Sequence, residues 1–472
     1  MKIGINASFV IKPNTGIGQV TLNALKALSN LQFTIHNLQS ISNDSIFNEK
    51  GTKEDLEFFL YLEEDLPKDF KLSKNFTKRI FLPLWKRDDL IRKIWREKFL
   101  LPKKVKEDKC DVFLSLYQCP SIFTPSLNSP LKEEGRGNIK HLMIAHDIIP
   151  KLFPEYLNNS RKKLYWKLTE KAIKKADKIV AVSEHTKKDL IKHLNIAPEK
   201  ISVNYIDVDP IYKKEISEDE SKRVLKKYNL EKGYIYFCGG LEKRKNAARL
   251  LKAYKLLLKN FKFRIPDVSR GQVLNFKSSS NNQIFNDEIK TKEVLKNSEL
   301  NIKNSIKIQN SLATPDLAKP DNFKIPKLVI SGKLMPKLAP LVTDAEKMVK
   351  DLGLRDKVKL LGFVPQKDLP ALYKNAGVFV YPSLHEGFGL PVLEAMNCGT
   401  AVVCSNASSL PEVGGEAVEY FNPKDEKELA EKMKKVLNDN NLRNELSAKG
   451  KKQAKKFSWS KFTKKIMPLV TI

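Results

Sequence analysis

Short apolar runs rich in Ile and Val recur along the chain, each followed by a polar turn and then a stretch with helical spacing. The first series is KIGIN (2–6), DVFLS (111–115), HLMIA (141–145), KIVAV (178–182) and ISVNY (201–205). The second is YIYFC (234–238), KLVIS (327–331), KVKLLGF (357–363), GVFVY (377–381) and TAVVC (400–404). Strands that are apolar along their whole length have no solvent-facing side, so alternation with helices predicts a parallel sheet covered on both faces. Two series predict an α/β protein with two doubly wound, Rossmann-like domains.

The pattern places the first domain over residues 1–206 and the second over 233–454. Between them, 207–232 is charged and strandless and reads as a linker. Residues 262–326 carry SSSNNQ, few aromatics and no clear period. They read as a mobile insertion between a helix and its next strand. At the far end, Trp459, Phe462 and Ile466 recur at helical spacing, which predicts an amphipathic helix over 455–472 packed on the body.

A length of 472 residues exceeds one comfortable core, and a hydrophobic fraction of 41% suffices for globular folding. The formal net charge of +30 arises from lysine scattered through nearly every segment. Such a field attracts phosphates or an anionic membrane surface. Nucleic acid is not expected as a partner, because the chain has no Cys/His finger and no aromatic RNP-type strand. The apolar stretch of MKIGINASFV is too short for a signal peptide, and no window approaches the roughly 18 apolar residues of a membrane span. The expected location is the cytoplasm, free or peripheral on the inner face of its membrane. Five cysteines without CxxC spacing read as core thiols of a reducing compartment.

The chemistry concentrates in HEGFGLPVLEAM (385–396). GVFVY is a strand, two glycines make the turn, and Pro391 suits the first turn of a helix. Free N–H groups around Phe388, Gly389 and Leu390 would face the carboxyl edge of the sheet, where anions bind. A diphosphate fits there. Glu394, about one turn into the helix, would accept hydrogen bonds from vicinal hydroxyls such as those of a ribose, and Glu386 would grip a sugar on the other side. A capping glutamate and a surface glutamate account for the spacing equally well. GGLEKRKNAARLL (239–251) directly follows YIYFC, so Lys245 and Arg244 would reach the same edge and neutralise a leaving diphosphate. In NTGIGQV (14–20), Gly16 and Gly18 would let backbone approach a pyrophosphate, although a plain loop-to-helix turn fits as well. His146 ends the strand HLMIA, where it could contact a polar ligand or handle a proton, with Asp147 holding its ring. Ser183 is expected to cap the next helix.

Together these segments resemble the retaining glycosyltransferases of family 4, with the GT-B architecture. The likeness rests on the early GIG turn, HDxxP, VSE-x-T-K-x-DL, G-x-L-E-x-RKN, GFVP-x-x-DL-x-x-LY and E-x7-E. It covers both domains apart from the insertion and a stretch near 40–80. It implies two Rossmann-like domains facing a cleft, with a nucleotide sugar held by the C-terminal domain. By position, it implies that Glu394 binds the ribose, Glu386 the donor sugar, and the backbone of Phe388 to Leu390 the phosphates. Lys245 and Arg244 would stabilise the departing diphosphate, His146 would face the donor sugar or acceptor, and the C-terminal helix would cross back to the first domain. Family members transfer a sugar with retention and need no bound metal or other cofactor. The partners implied are a nucleotide sugar and a glycan or lipid-linked acceptor in surface-polysaccharide or lipopolysaccharide synthesis, with GDP-mannose favoured and UDP-sugars the alternative. A degenerate scaffold that only binds nucleotide is the rival reading. Two positions depart from the family pattern. Gly240 stands where many relatives place an arginine, and Asp207 replaces a glycine. Asp207-Val-Asp209 has the form of a metal-binding Asp-x-Asp but, in a charged linker, is not read as one.

Overall fold

A computed structural model describes residues 1–30, 56–68, 70–82, 89–123, 139–262 and 325–471. The expected insertion 262–326 lies, but for its ends, outside the described residues. Met1–Lys259 and Pro326–Ile472 form one unit that contains two sheets, all of whose pairings are parallel.

The first sheet comprises β1 (Lys2–Asn6), β2 (Glu57–Leu62), β3 (Phe76–Ile80), β4 (Val112–Ser115), β5 (Lys140–Ala145), β6 (Lys178–Ala181) and β7 (Ile201–Val203), in the order β3-β2-β1-β4-β5-β6-β7. All five expected strands are present. β2 and β3 extend the sheet. β3 is an edge strand whose Thr77 and Lys78 are exposed, so it lacks the apolar signature of its neighbours. Gly4 in β1 makes room for Tyr61 of β2, whose ring carbon would lie 2.9 Å from a Cβ there.

The second sheet comprises β8 (Tyr234–Cys238), β9 (Leu328–Ser331), β10 (Val358–Gly362), β11 (Ala376–Tyr381), β12 (Val402–Ser405) and β13 (Glu419–Phe421), in the order β10-β9-β8-β11-β12-β13. Counted within the domain, this is the order 3-2-1-4-5-6 of a dinucleotide-binding sheet. The order reverses between β8 and β11. A crevice at the carboxyl ends of those two strands is therefore where such a sheet binds ligands. Tyr236, Tyr373, Phe379 and Tyr381 fill the core beside it with mutually tilted and stacked rings.

The segment 207–232 contains a helix, Glu218–Tyr228. Buried Asp368 of the second domain fastens it by accepting from Arg223 at 3.0 Å, Lys227 at 2.5 Å and Tyr228 at 2.9 Å. Asp207 pairs with Lys213, and Asp209 caps the short turn Pro210–Lys213 through Ile211 N–H. Both aspartates are thus engaged by the chain itself. The C-terminal helix Trp459–Thr471 packs on helix Gly16–Asn30 of the first domain. Trp459 Nε1 donates to the Val208 carbonyl at 2.9 Å, and Asn204 Nδ2 donates to that of Phe462 at 2.8 Å. Cys110, Cys119, Cys398 and Cys404 are buried free thiols, and Cys238 is half-buried. Among the described residues, no helix is long and apolar enough to cross a membrane.

Candidate active site

β8 and β11 are neighbours, so the segments that follow them meet at the point where the strand order reverses. There the Lys245 ammonium lies 2.7 and 3.0 Å from the two carboxylate oxygens of Glu386. Arg244 Nη1 stands 3.3 Å from Glu386 Oε2. Ser383 Oγ donates to Oε1 at 2.5 Å and the Tyr381 hydroxyl at 3.0 Å. Burial alone would raise the Glu386 pKa, but the two cations and the Ser383 hydroxyl outweigh it and hold the group at about 2. Glu386 is therefore an anion, 7% exposed, facing two cations.

Glu394 sits one turn into the helix Leu390–Asn397, in a different setting. Tyr373 donates to its Oε2 at 2.8 Å, and Tyr212 also hydrogen-bonds to it. Burial is the dominant influence, and the two phenols offset it only in part, leaving a pKa of about 7.

The turn between the two carboxylates is buried at Gly387, Phe388 and Gly389 and opens directly into a helix. Gly389, with φ 117°, is the N-cap residue, and no side chain caps the helix. A Cβ at Gly389 would lie 2.8 Å from Leu410 Cδ2. Ser408 Oγ accepts from Glu386 N–H at 2.9 Å, and Ser409 Oγ donates to the Phe388 carbonyl at 2.6 Å. Phe388 is itself buried against Phe457.

The first domain reaches the same turn. Gly16 opens a helix, and a Cβ there would contact Leu390 Cδ1 at 4.0 Å, so the two glycine turns face each other. A Cβ at Gly18 would overlap the Lys12 carbonyl, so its small size is required by its own loop. The His146 carbonyl occupies the space of a Cβ at Gly387. Its imidazole Nε2 lies 2.9 Å from the Leu116 carbonyl, which makes Nε2 the donor and leaves Nδ1 as the acceptor. Burial pushes its pKa down, so the ring is neutral. Leu116 therefore holds this ring; Asp147 instead accepts from Ile149 N–H at 2.9 Å. Ser183 caps the helix Glu184–Leu194 as expected, and its hydroxyl also donates to the Gly387 carbonyl at 2.6 Å.

Glu386, Lys245, Arg244, Gly240, Phe388, Gly389 and Leu390 therefore cluster at one sheet edge, with Gly16 and the His146 backbone against them. A Cβ at Gly240 would meet the Glu242 carboxylate, so a larger residue there would require that side chain to swing aside. Glu242 Oε2 is buried and without a hydrogen-bond partner among the described residues, an acceptor that the G-x-L-E segment carried unnoticed. A second polar group missed in the sequence is Glu97, on a π-helical turn at 96–100. It is fully buried and accepts from Tyr117 at 2.6 Å and Tyr165 at 2.9 Å, and its neighbour Arg96 reaches Ser8 Oγ. These residues lie at the carboxyl ends of β1 and β4, where the first sheet reverses its own order. The alternation of charge and aromatics along 92–99 resembles a solvated helix and gave no warning of their burial.

Two family models match the chain, Glycosyltransferase Family 4 over residues 15–210 and Glycosyl transferases group 1 over 312–453. O-antigen chain mannosyltransferase B of Escherichia coli is 30% identical over 320 residues, which cover 67% of this chain and 66% of that one. Serotype-specific mannosyltransferase WbdA, also of E. coli, is 28% identical over 324 residues, which cover 68% of this chain but 32% of its own length. The chain thus spans just under two thirds of the first of these relatives and about a third of the second. Among solved structures, Anabaena HepE in complex with UDP and glucose superposes with a TM-score of 0.60 at 15% identity, covering 100% of this chain and 99% of that one. WaaG, a glycosyltransferase involved in lipopolysaccharide biosynthesis, also gives 0.60, at 14% identity, with 100% of both chains covered. With models matched on both domains, a mannosyltransferase relative across two thirds of the chain and two parallel-sheet domains, the chain belongs to the group 1, family 4 glycosyltransferases of GT-B fold.

Proposed function

We propose that the protein is a retaining hexosyltransferase that moves a sugar, mannose from GDP-mannose, onto a glycan or lipid-linked acceptor in polysaccharide synthesis. The observation that carries this reading is the buried contact of Glu386 with Lys245 and Arg244 beside an uncapped glycine turn. The carboxylate is held between the two cations, and the three groups together carry a net positive charge. A diphosphate in the turn would draw the cations to itself and release Glu386 to accept hydrogen bonds from sugar hydroxyls. Glu394 would hold the ribose.

In the transfer step, the bond between the anomeric carbon and the diphosphate oxygen breaks with its electron pair going to that oxygen. Lys245, Arg244 and the turn amides stabilise the charge that develops there. The acceptor hydroxyl forms its bond to the anomeric carbon on the face the diphosphate leaves, and its proton passes to the departing phosphate oxygen. Glu386 stabilises the oxocarbenium-like charge. His146, neutral with Nδ1 as acceptor, suits a hydroxyl contact from the first domain. No metal is invoked in this chemistry. Exposed Ile91, Trp95 and Phe99, set among basic residues, support attachment of the first domain to an anionic lipid surface.

A thermal-shift panel of GDP, UDP, ADP and their sugar conjugates tests the donor. A ligand at about 100 times its Kd stabilises the native state by roughly 2.7 kcal/mol. A shift with GDP and GDP-mannose supports the reading. A shift confined to UDP ligands overturns the mannosyl donor, and no shift with any nucleotide overturns the donor site.

A further inference from the structure

Beside the transfer site, two histidines and an aspartate converge from the two domains. His185 and Asp189 lie one turn apart on helix Glu184–Leu194, while His385 precedes Glu386 in the loop after β11. His385 Nε2 is 3.4 Å from Asp189 Oδ2, and His185 Nε2 is 3.5 Å from the same oxygen. One donor atom from each residue fits within a mutual separation of 4.8 Å.

The cluster is unfinished as a hydrogen-bonding group. His385 is nine-tenths buried, yet its Nε2 has no hydrogen-bond partner among the described residues, although it points toward Asp189. A buried nitrogen of this kind carries an unmet cost unless something accepts its lone pair or proton. Phe153 and the His185 ring close around the imidazole, with centroids at 5.9 and 5.2 Å.

The spacing suits a cation. Two donors each about 2.1 Å from a tetrahedral ion stand about 3.4 Å apart, and Asp189 meets both histidines at this separation. Two imidazoles and a carboxylate with an open position are a familiar donor set for zinc. The helix supplying two of the ligands is already docked on the loop's side. Glu412 of the second domain accepts from Glu184 N–H and His185 N–H, each at 2.7 Å, and Thr186 Oγ1 donates to the Gly387 carbonyl at 3.0 Å.

We propose that His185, Asp189 and His385 form a site for a divalent transition cation of the zinc class, which ties the first domain to the loop bearing Glu386. This site is additional to the transfer chemistry and takes no part in bond breaking. Its function is to hold the first domain against the Glu386 loop, so that binding requires ligands from both.

The test is Co2+ titration of the metal-free full chain, followed by visible d–d absorption and by displacement with Zn2+. Wild type should bind one equivalent of Co2+, released by Zn2+. Losing an outer-shell partner of a metal site costs roughly 10- to 100-fold in affinity, so His185→Ala and His385→Ala should each weaken binding by at least that much. His185 is part-exposed, so its replacement should leave the metal-free melting temperature unchanged and separates lost ligation from lost folding. Absence of d–d bands in wild type would overturn the proposal. So would cobalt binding insensitive to His385→Ala, since that would place the ion on the helix alone.

Discussion

Glu386 and Glu394 stand eight residues apart, one on each side of a single glycine turn, and the fold treats them in opposite ways. Glu386 is buried and Glu394 half-buried at the edge of the second sheet, where desolvation penalises charge. Glu386 is met by an ammonium, a guanidinium and two hydroxyls, which drive its pKa down to about 2. Glu394 is met by two neutral phenols and rises to about 7. The difference shows that burial alone does not fix the state of a carboxylate; the charge of its partners does. It also separates the proposed tasks. A permanently ionised group suits stabilising positive charge on a sugar, whereas one poised near neutrality binds hydroxyl donors better as it loses its proton.

The linkage signs follow from the two shifts. Glu386, with a lowered native pKa, contributes stability above the ordinary carboxylate range, and that contribution is lost as pH falls toward about 2. Glu394, with a raised native pKa, contributes stability below the ordinary range, and that contribution is lost as pH rises through about 7.

The sharpest way to break the contrast is to remove a cation. Lys245→Ala leaves the buried Glu386 with Arg244 alone, and breaking a buried pair costs about 3–5 kcal/mol. With Arg244 still present, a loss of about 3 kcal/mol in the free energy of urea unfolding is expected, together with loss of transfer. Unchanged stability would mean that the pair contributes nothing to the fold. Glu386→Gln is next. It keeps the shape and removes the charge, so kcat should fall by about 100- to 1,000-fold, the effect of losing one electrostatic group at a transition state. Nucleotide affinity should not weaken, because Lys245 and Arg244 are freed for the diphosphate. A variant that turns over like wild type would remove Glu386 from the chemistry.

Much of this arrangement was legible in the sequence because apolar strands buried on both faces read the same wherever they occur. YIYFC and GVFVY located the sheet edge, and with it Lys245, Arg244 and Glu386. What escaped detection depends on contacts between distant parts of the chain. Phe76–Ile80 pairs at an edge with charged side chains outward, and Glu419–Phe421 is too short to show a period. The ring of His146 is held by Leu116, thirty positions earlier, and not by the adjacent aspartate. The close approach of the Lys12 carbonyl to Gly18 likewise has no mark in NTGIGQV. Asp189 and His385 belong to different domains, and no local spacing relates them.

The most direct test of the central claim is the pH dependence of nucleotide binding, measured by calorimetry between pH 6 and 8, a range chosen to span the pKa of about 7. If Glu394 recognises the ribose as a carboxylate, wild-type affinity should weaken about tenfold per unit of acidification below that pKa and level off above it. Glu386→Gln should keep this profile, and Glu394→Gln should bind weakly and without it. A flat wild-type profile, or one that disappears with Glu386 rather than Glu394, would contradict the division of labour between the two carboxylates.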